Sequence, residues 1–375
     1  MTRTPEQEAT IIALAHKIAS LGLTATFVDP ISVGPIVSVY RFLPRGSTKV
    51  SQVEALAEDF AICLGVEDVF VKRMPGETAV GLFIPNRERQ WVQWRDHCQL
   101  PLQAHRIPLL LGVDYLGKLI VEDLTLMPHL LIAGSTGGGK TTLLNSILGG
   151  IILNYSPKDI QLVLSDTKGV EFTQFEGAPH LYAKTSTSLV TTLERFNLLL
   201  DEMQTRFDKF AKSGTRNILE YNTAFASTPS ALLPYIVVVV DELADLLLDR
   251  RRVEDPDDPE GSRTITLGAL ASRKLARLAQ KARATGIHFI VATQRPSVKL
   301  LEGDIKTNFP ARLTFRLPSE ADSRTVLGTG GAEHLLSRGD MLLINPNRPG
   351  LQRIHAPLAS LSDIKAAVEY AGQRR

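Results

Sequence analysis

The sequence predicts an α/β protein with a mainly parallel sheet, preceded by a smaller amino-terminal α/β unit. From about residue 107 onward, short and continuously apolar strands alternate with long helices, which is typical of a parallel sheet covered on both faces. The first hundred residues instead mix short strands with amphipathic helices. A chain of 375 residues is long enough for two or three domains, each with its own core. We therefore predict one unit over residues 1–105 and a second over 106–375.

The amino-terminal unit is predicted to begin with a helix. Thr4 fits the N-cap, Pro5 the first helical position and Gln7 the capping box, and apolar residues then follow at helical spacing. This unit contains no recognisable catalytic cluster. The other predicted elements are strands at 24–28, 35–42, 69–72 and 79–84, and helices at 50–64 and 88–98.

The second unit has the pattern of a parallel sheet with helical connections. A charged, proline-containing stretch at 249–262 has no periodicity and predicts a mobile surface loop. The predicted core strands are 130–133, 160–165, 235–240, 288–292 and 312–316, with helices at 275–284 and 363–371.

Composition excludes several classes of protein. Lys and Arg number 42 against 40 Asp and Glu, so the net charge of +2 gives no sign of a nucleic-acid partner. The two cysteines, Cys63 and Cys98, are too few for a disulfide scaffold or a cysteine-based zinc site. No apolar run approaches the roughly 20 residues of a membrane helix, and the start is not a signal peptide. We therefore expect a soluble, cytoplasmic protein without membrane contact.

The net charge, however, averages two opposite regions. Between residues 267 and 316, ten basic residues stand against two acidic ones, a local excess of eight. Residues 249–260 hold six acidic residues against three arginines. A basic channel lining together with an acidic exterior would give this near-neutral total, so the total does not count against a DNA partner.

A glycine-rich loop carries the strongest chemical signal. Residues 134–141 read G-S-T-G-G-G-K-T, which matches the phosphate-binding pattern G-x-x-x-x-G-K-[ST] between an apolar strand and a helix. Glycines let backbone N–H groups turn toward phosphates, and the helix N-terminus adds partial positive charge. Lys140 is predicted to contact the β- and γ-phosphates of ATP, and Thr141 to hold Mg²⁺. The residues expected to contact the nucleotide are Gly134, Ser135, Thr136, Gly137, Gly138, Gly139, Lys140, Thr141 and Thr142.

Polar residues also end three of the predicted strands. Asp241 and Glu242 follow the strand at 235–240, and two carboxylates there are costly unless they serve a metal or a water. They resemble the acids of additional-strand P-loop ATPases, in which the first holds Mg²⁺ and the second orients the attacking water. Asp166 and Gln294 follow two further strands, and Gln294 is predicted to sense the γ-phosphate. The alternative is that these are ordinary polar strand ends.

Long motifs along most of the chain resemble the FtsK/SpoIIIE family of DNA translocases. The resemblance implies a RecA-like P-loop ATPase core with the family's α and β motor domains, assembled as a homo-hexameric ring that moves double-stranded DNA. The stretch at 249–261 looks like an insertion, the family's membrane segments and winged-helix domain are missing, and the capped start favours a naturally short protein. The matching segments are 34–40, 79–86, 127–141, 233–245, 286–298, 322–327, 331–336 and 338–342.

A ring motor further requires an arginine from the neighbouring subunit and loops that grip DNA. Arg283 is the first candidate for this arginine and Arg324 the second, although each could be a surface salt-bridge residue. Two short segments offer a cation with small polar residues, a mixture that contacts phosphates without reading bases. A solvated turn is the alternative for both segments. Their residues are Thr215, Arg216, Asn217, Lys306, Thr307 and Asn308.

The sequence therefore predicts an ATPase that uses ATP and Mg²⁺ to translocate duplex DNA. Two alternatives stay open at this point. One is a secretion- or conjugation-type ATPase of the same superfamily that moves protein, and the other is an ATP-dependent scaffold that binds DNA.

Overall fold

The computed structural model describes residues 3–74, 77–100, 106–258, 263–301 and 303–374. The amino-terminal part forms a four-stranded antiparallel sheet in the order β1-β2-β4-β3. Its elements are α1 (Pro5–Ser20), β1 (Ala25–Val33), β2 (Val37–Pro44), α2 (Val50–Glu54), α3 (Ala57–Leu64), β3 (Phe70–Arg73) and β4 (Val80–Pro85).

The two faces of this small sheet have different partners. One face packs under α1 and α3 around Leu14, Phe42 and Phe60. The other face contributes to a second cluster that includes Leu336, a residue from far along the chain. The sheet is therefore covered on one side by its own helices and on the other by the rest of the protein.

Two helix predictions in this region need correction. The helix predicted at 50–64 is divided into α2 and α3. The helix predicted at 88–98 is wrong, because only the single 3₁₀ turn Trp94–Asp96 forms there. Trp94 is buried, and its indole Nε1 donates to the carbonyl oxygen of Ser146 at 3.0 Å. Tertiary contacts thus determine the backbone of this segment in place of its helical periodicity.

A nine-stranded sheet forms the remainder of the fold, in the order β6-β5-β15-β14-β13-β7-β12-β9-β8. Neighbours from β13 to β8 pair in parallel, and those from β6 to β13 pair antiparallel. Its nine strands are β5 (Pro108–Asp114), β6 (Leu119–Asp123), β7 (His129–Ala133), β8 (Ile160–Ser165), β9 (Tyr235–Val240), β12 (Ile287–Thr293), β13 (Ala311–Phe315), β14 (Asp340–Ile344) and β15 (Leu351–His355). The short strands β10 (Arg252–Glu254) and β11 (Thr264–Thr266) form a separate two-stranded sheet.

Helices cover both faces of the large sheet, which confirms the predicted fold class. α4 and α12 pack on one face, and α5 and α8 pack on the other. The helices are α4 (Lys140–Asn154), α5 (Leu189–Ser213), α6 (Ile218–Ala224), α7 (Leu243–Leu247), α8 (Leu267–Lys281), α9 (Val298–Leu301), α10 (Asp304–Asn308), α11 (Glu320–Leu327) and α12 (Leu361–Gln373).

The stretch at 249–262 differs from its prediction as an irregular loop. Strands β10 and β11 pair antiparallel, and Arg273 on α8 forms ion pairs with Asp255 at 2.9 Å and Asp257 at 2.6 Å. Strands of three residues carry too few apolar positions for a period to be visible. Residues 259–262 of this stretch lie outside the described residues.

The boundary predicted between residues 105 and 106 adjoins the segment 101–105, which the structure does not describe. In the ranges that it does describe, no helix is both long enough and apolar enough to cross a bilayer.

Candidate nucleotide-binding site

The glycine-rich loop connects β7 to α4 at the carboxyl edge of the parallel strands. Its backbone is held on two sides, since Gly134 donates its N–H to Thr293 O at 3.3 Å and Ser135 donates to Arg316 O at 3.2 Å. Gly139, the N-cap of α4, has φ 117°, and a Cβ there would lie 3.0 Å from Gly339 N. Only glycine fits that position without strain.

The glycine-rich loop offers backbone N–H groups that could bind a ligand. Within the described part of the chain, the backbone N–H groups of Thr136, Gly137 and Gly139 have no acceptor. The start of α4 also lacks a side-chain cap. Free N–H groups at a helix N-terminus form a natural anion site, so the residues present fit a phosphate chain.

Lys140 and Asp241 form a buried ion pair at the centre of the site. The Lys140 Nζ lies 2.8 Å from Asp241 Oδ1, and the two side chains are 4% and 2% exposed. Each charge satisfies the other in a place where an unpaired charge would be costly. The structure therefore brings together two residues that lie about a hundred positions apart in the sequence.

The donor set fits magnesium better than a fully protein-bound metal. No cluster of three or more His, Cys, Asp or Glu that could hold a metal occurs among the residues described. The half-buried Thr141 and the buried Asp241 provide hard oxygen atoms at the same sheet edge. Mg²⁺ commonly takes one or two such ligands and completes its shell with water and substrate phosphates.

Glu242 is the acceptor of a small hydrogen-bond network. Its Oε1 accepts from Thr293 Oγ1 at 2.6 Å and from Ala244 N at 3.2 Å. Its Oε2 accepts from Gln294 N at 2.9 Å. The Gln294 side chain accepts from Thr136 Oγ1 at 2.9 Å. The network therefore runs without a break from the glycine-rich loop to the ends of β9 and β12.

The sequence did not single out Thr293 as a site residue, although it lies next to Gln294. Thr293 is completely buried in the folded protein, and burial of this kind cannot be recognised from the sequence. Asp166, by contrast, is a structural anchor, since its carboxylate accepts from four backbone N–H groups of the turn that follows β8.

The two candidate arginines are in different situations. Arg283 is exposed on the 3₁₀ turn Ala282–Thr285 that precedes β12, and no acidic partner for it occurs in the described ranges. Arg324 forms an ion pair with Glu320 at 2.7 Å on the surface of α11. The ion pair fits the salt-bridge alternative for Arg324, and the roles of Arg283 and Arg324 at a neighbouring site both stay predictions.

The predicted DNA-contacting residues lie near the amino-terminal ends of the parallel strands, opposite the glycine-rich loop. Arg216, with its side chain 86% exposed, pairs with Glu220 at 3.1 Å, and Asn217 caps α6. The second segment is not a loop as predicted, because Lys306, Thr307 and Asn308 belong to α10. The Lys306 carbonyl oxygen accepts from Arg312 at the start of β13, at 2.8 Å.

A cavity of ≈ 1140 Å³ lies elsewhere, between α1 and residues 84–97, and none of the predicted site residues lines it.

Comparison with known proteins agrees with this geometry. The FtsK/SpoIIIE family model matches residues 93–298, and the FtsK alpha domain model matches residues 2–86. The chain is 37% identical to the DNA translocase FtsK of Oceanobacillus iheyensis over 98% of its length, and 36% identical to that of Staphylococcus aureus over 96%. It covers 46% and 45% of those proteins, or about half their length.

Solved structures share the fold. The conjugation coupling protein TcpA of pCW3, in its monomer form with ATPγS, aligns with a TM-score of 0.65 at 21% identity, over 98% of this chain and 100% of that one. The cytoplasmic domain of the type VII secretion ATPase EccC of Thermomonospora curvata aligns with a TM-score of 0.60 at 25% identity, over 71% and 31%. From the matched models and the identity to the curated relatives, we conclude that the chain belongs to the FtsK/SpoIIIE family.

Proposed function

We propose that this chain is the ATP-hydrolysing motor of a double-stranded DNA translocase. The observation that carries the proposal is the continuous network from Thr136 through Gln294 and Glu242 to Thr293. It joins the glycine-rich loop to a buried carboxylate, which could position the attacking water beside a bound nucleotide. The similarity to proteins named DNA translocase FtsK supports DNA as the substrate that is moved.

ATP binding would use groups that are already in position. The free N–H groups of the loop would accept the phosphate oxygens, and Lys140 would exchange part of its contact with Asp241 for the β- and γ-phosphates. Thr141 and Asp241 would hold Mg²⁺. When bound, Mg²⁺ would neutralise charge on the transferring phosphoryl group.

Glu242 would orient the attacking water, and Gln294 would respond to the γ-phosphate. Both oxygens of Glu242 are fixed by protein donors, so its carboxylate has a defined direction. Gln294 contacts the glycine-rich loop through Thr136. Loss of the γ-phosphate would change this contact, and the chain leads from Gln294 through α9 to Lys306 on α10.

DNA would be gripped by Thr215, Arg216, Asn217, Lys306, Thr307 and Asn308. These residues lie near the amino-terminal ends of the parallel strands, away from the glycine-rich loop. DNA and nucleotide could therefore bind at the same time. We further propose a homo-hexameric ring in which Arg283 completes the neighbour's site, a division of the chain into units 1–105 and 106–375, and a cytoplasmic location.

A DNA-stimulated ATPase assay tests the proposal. Duplex DNA at low salt should raise turnover, and the stimulation should fall steeply with added salt because counterions are released on binding. Displacement of a triplex-forming strand in the presence of ATP would then demonstrate movement along DNA. Hydrolysis without any stimulation by DNA would contradict the translocase and favour a secretion-type ATPase.

Variants separate the two sites. Glu242→Gln should bind ATP but hydrolyse it at least about 100-fold more slowly, as expected for loss of a general base. Arg216→Ala combined with Lys306→Ala should lose DNA stimulation and keep basal turnover. Lys118→Ala, an exposed cation in the β5–β6 turn, is the matched control. Stimulation that survives in the double variant would place DNA contact elsewhere.

A further inference from the structure

The glycine-rich loop touches the first residue before β14. Gly339 donates its N–H to Gly138 O at 2.8 Å, and a Cβ on Gly139 would lie only 3.0 Å from Gly339 N. Because two backbones meet here without an intervening side chain, a change in the loop must either move the start of β14 or break this hydrogen bond.

The next residue, Asp340, forms a buried ion pair with Arg353 on β15. Arg353 donates from Nε to Oδ1 at 3.0 Å and from Nη2 to Oδ2 at 2.6 Å, and the two side chains are 4% and 1% exposed. This two-bond geometry fixes direction as well as distance. Burial by itself would raise the pKa of Asp340, but the charge and hydrogen bonds of Arg353, together with His355 and the backbone N–H of Leu336, outweigh burial and lower it.

The same guanidinium group contacts the amino-terminal sheet. Its Cζ lies 5.3 Å from the ring centroid of Phe70 on β3 and 5.6 Å from that of Phe83 on β4. Nη1 of Arg353 is buried and has no hydrogen-bond partner in the structure described. The two aromatic rings provide a cation–π contact to this guanidinium group, whose hydrogen-bond capacity is only partly used.

Packing alone does not explain a charge in this position. Apolar residues could fill the same space without the cost of desolvating two ions, and replacing a buried ion pair in this way is often neutral or stabilising. The Asp340–Arg353 ion pair provides a directional connection from β14 to the rings of Phe70 and Phe83, which apolar side chains would not provide.

We propose that Arg353 and Asp340 are positioning residues that couple the shape of the glycine-rich loop to the amino-terminal sheet. The path runs from Gly138 through Gly339, Asp340 and Arg353 to Phe70 and Phe83. The inference rests on the proposed function, because nucleotide is the ligand that would change the loop. It adds that the amino-terminal sheet responds to nucleotide without contacting it.

Hydrogen–deuterium exchange of the full chain tests this coupling. Exchange in 70–73 and 80–85 is measured with and without ATPγS, and nucleotide affinity is measured on the same samples with a fluorescent ATP analogue. In the wild type, ATPγS should change exchange in both strands. In a Phe70→Leu, Phe83→Leu double variant this change should vanish, because the contact between Arg353 and the two rings is lost, while affinity stays within about twofold.

Two further variants separate coupling from simple loss of packing. Phe27→Leu removes an aromatic ring from β1 of the same sheet, on the face toward the helices, and should keep the nucleotide-dependent change. Arg353→Lys keeps the charge but not the two-bond geometry, and should reduce the change even if the double phenylalanine variant does not fold.

Nucleotide binding with no change of exchange in β3 and β4 of the wild type would refute the coupling. A change that persists in the double variant, or in Arg353→Lys when the double variant does not fold, would also refute it. If the wild type binds no nucleotide at all, the proposed function itself fails and the coupling falls with it, so the affinity measurement distinguishes the two failures.

Discussion

Replacement of Thr293 by valine should slow ATP hydrolysis without weakening ATP binding. The Thr293 hydroxyl donates to Glu242 Oε1 at 2.6 Å and accepts from Arg295 N at 3.1 Å, and both Thr293 and Glu242 are buried. Valine has the same shape but no hydroxyl. A hydrogen bond to a buried charge contributes about 1.5–3 kcal/mol, and at about 1.36 kcal/mol for each factor of ten, turnover should fall about 10- to 150-fold.

Steady-state ATPase kinetics and equilibrium binding of a fluorescent ATP analogue measure the two effects separately. Affinity should be retained because the backbone carbonyl of Thr293, which holds Gly134, is unchanged. Thr293→Ser keeps the hydroxyl and is the matched control, with turnover near that of the wild type. Equal turnover in the valine and serine variants would show that this hydrogen bond does not orient Glu242. An equal loss of affinity and turnover would show that the residue only supports the loop.

Three other predictions concern the Lys140–Asp241 ion pair, two buried histidines and Gly139 of the loop. Lys140→Met should destabilise the fold by about 3–5 kcal/mol in urea unfolding, since Asp241 is left unpaired. Addition of Asp241→Asn to this variant should recover much of the stability but should not restore ATP binding. Burial lowers the pKa of His129 to about 3 and that of His288 to about 4. The unfolded chain takes up their protons near pH 6.5 and the folded chain does not, so these two histidines should together lower stability by about 4 kcal/mol from pH 7 to pH 5. His129→Gln should remove about half of that contribution, and an unchanged pH dependence would contradict it. Gly139→Ala should abolish ATP binding in the fluorescence assay, because alanine is strained at its positive φ; normal binding would show that the loop can adapt.

The sequence predicts best where one local pattern has one structural solution. The glycine-rich loop needed a strand before it and a helix after it, and β7 and α4 are found there. The core strands likewise appear close to their predicted bounds, because continuous apolar runs of that length bury well only in a covered sheet.

Contacts between distant segments were the part that the sequence did not reveal. Thr293 is an ordinary strand residue by pattern, and its role depends on Glu242 from another strand. No sequence pattern links Asp340 to Arg353, because only the antiparallel pairing of β14 with β15 brings them together. Trp94 anchors a segment whose periodicity predicts a helix. In each case the deciding partner lies far away along the chain.

The arrangement of β12 has a mechanical consequence. This strand ends at Thr293, next to Gln294, and begins just after the turn that carries Arg283. Seven residues at about 3.3 Å each give a span of roughly 23 Å. In a ring where Arg283 reaches the adjacent subunit, the two ends of one stiff strand would face two successive ATP sites. Hydrolysis in neighbouring subunits could then be coordinated without a hinge, because a shift at one end of β12 would also move its other end.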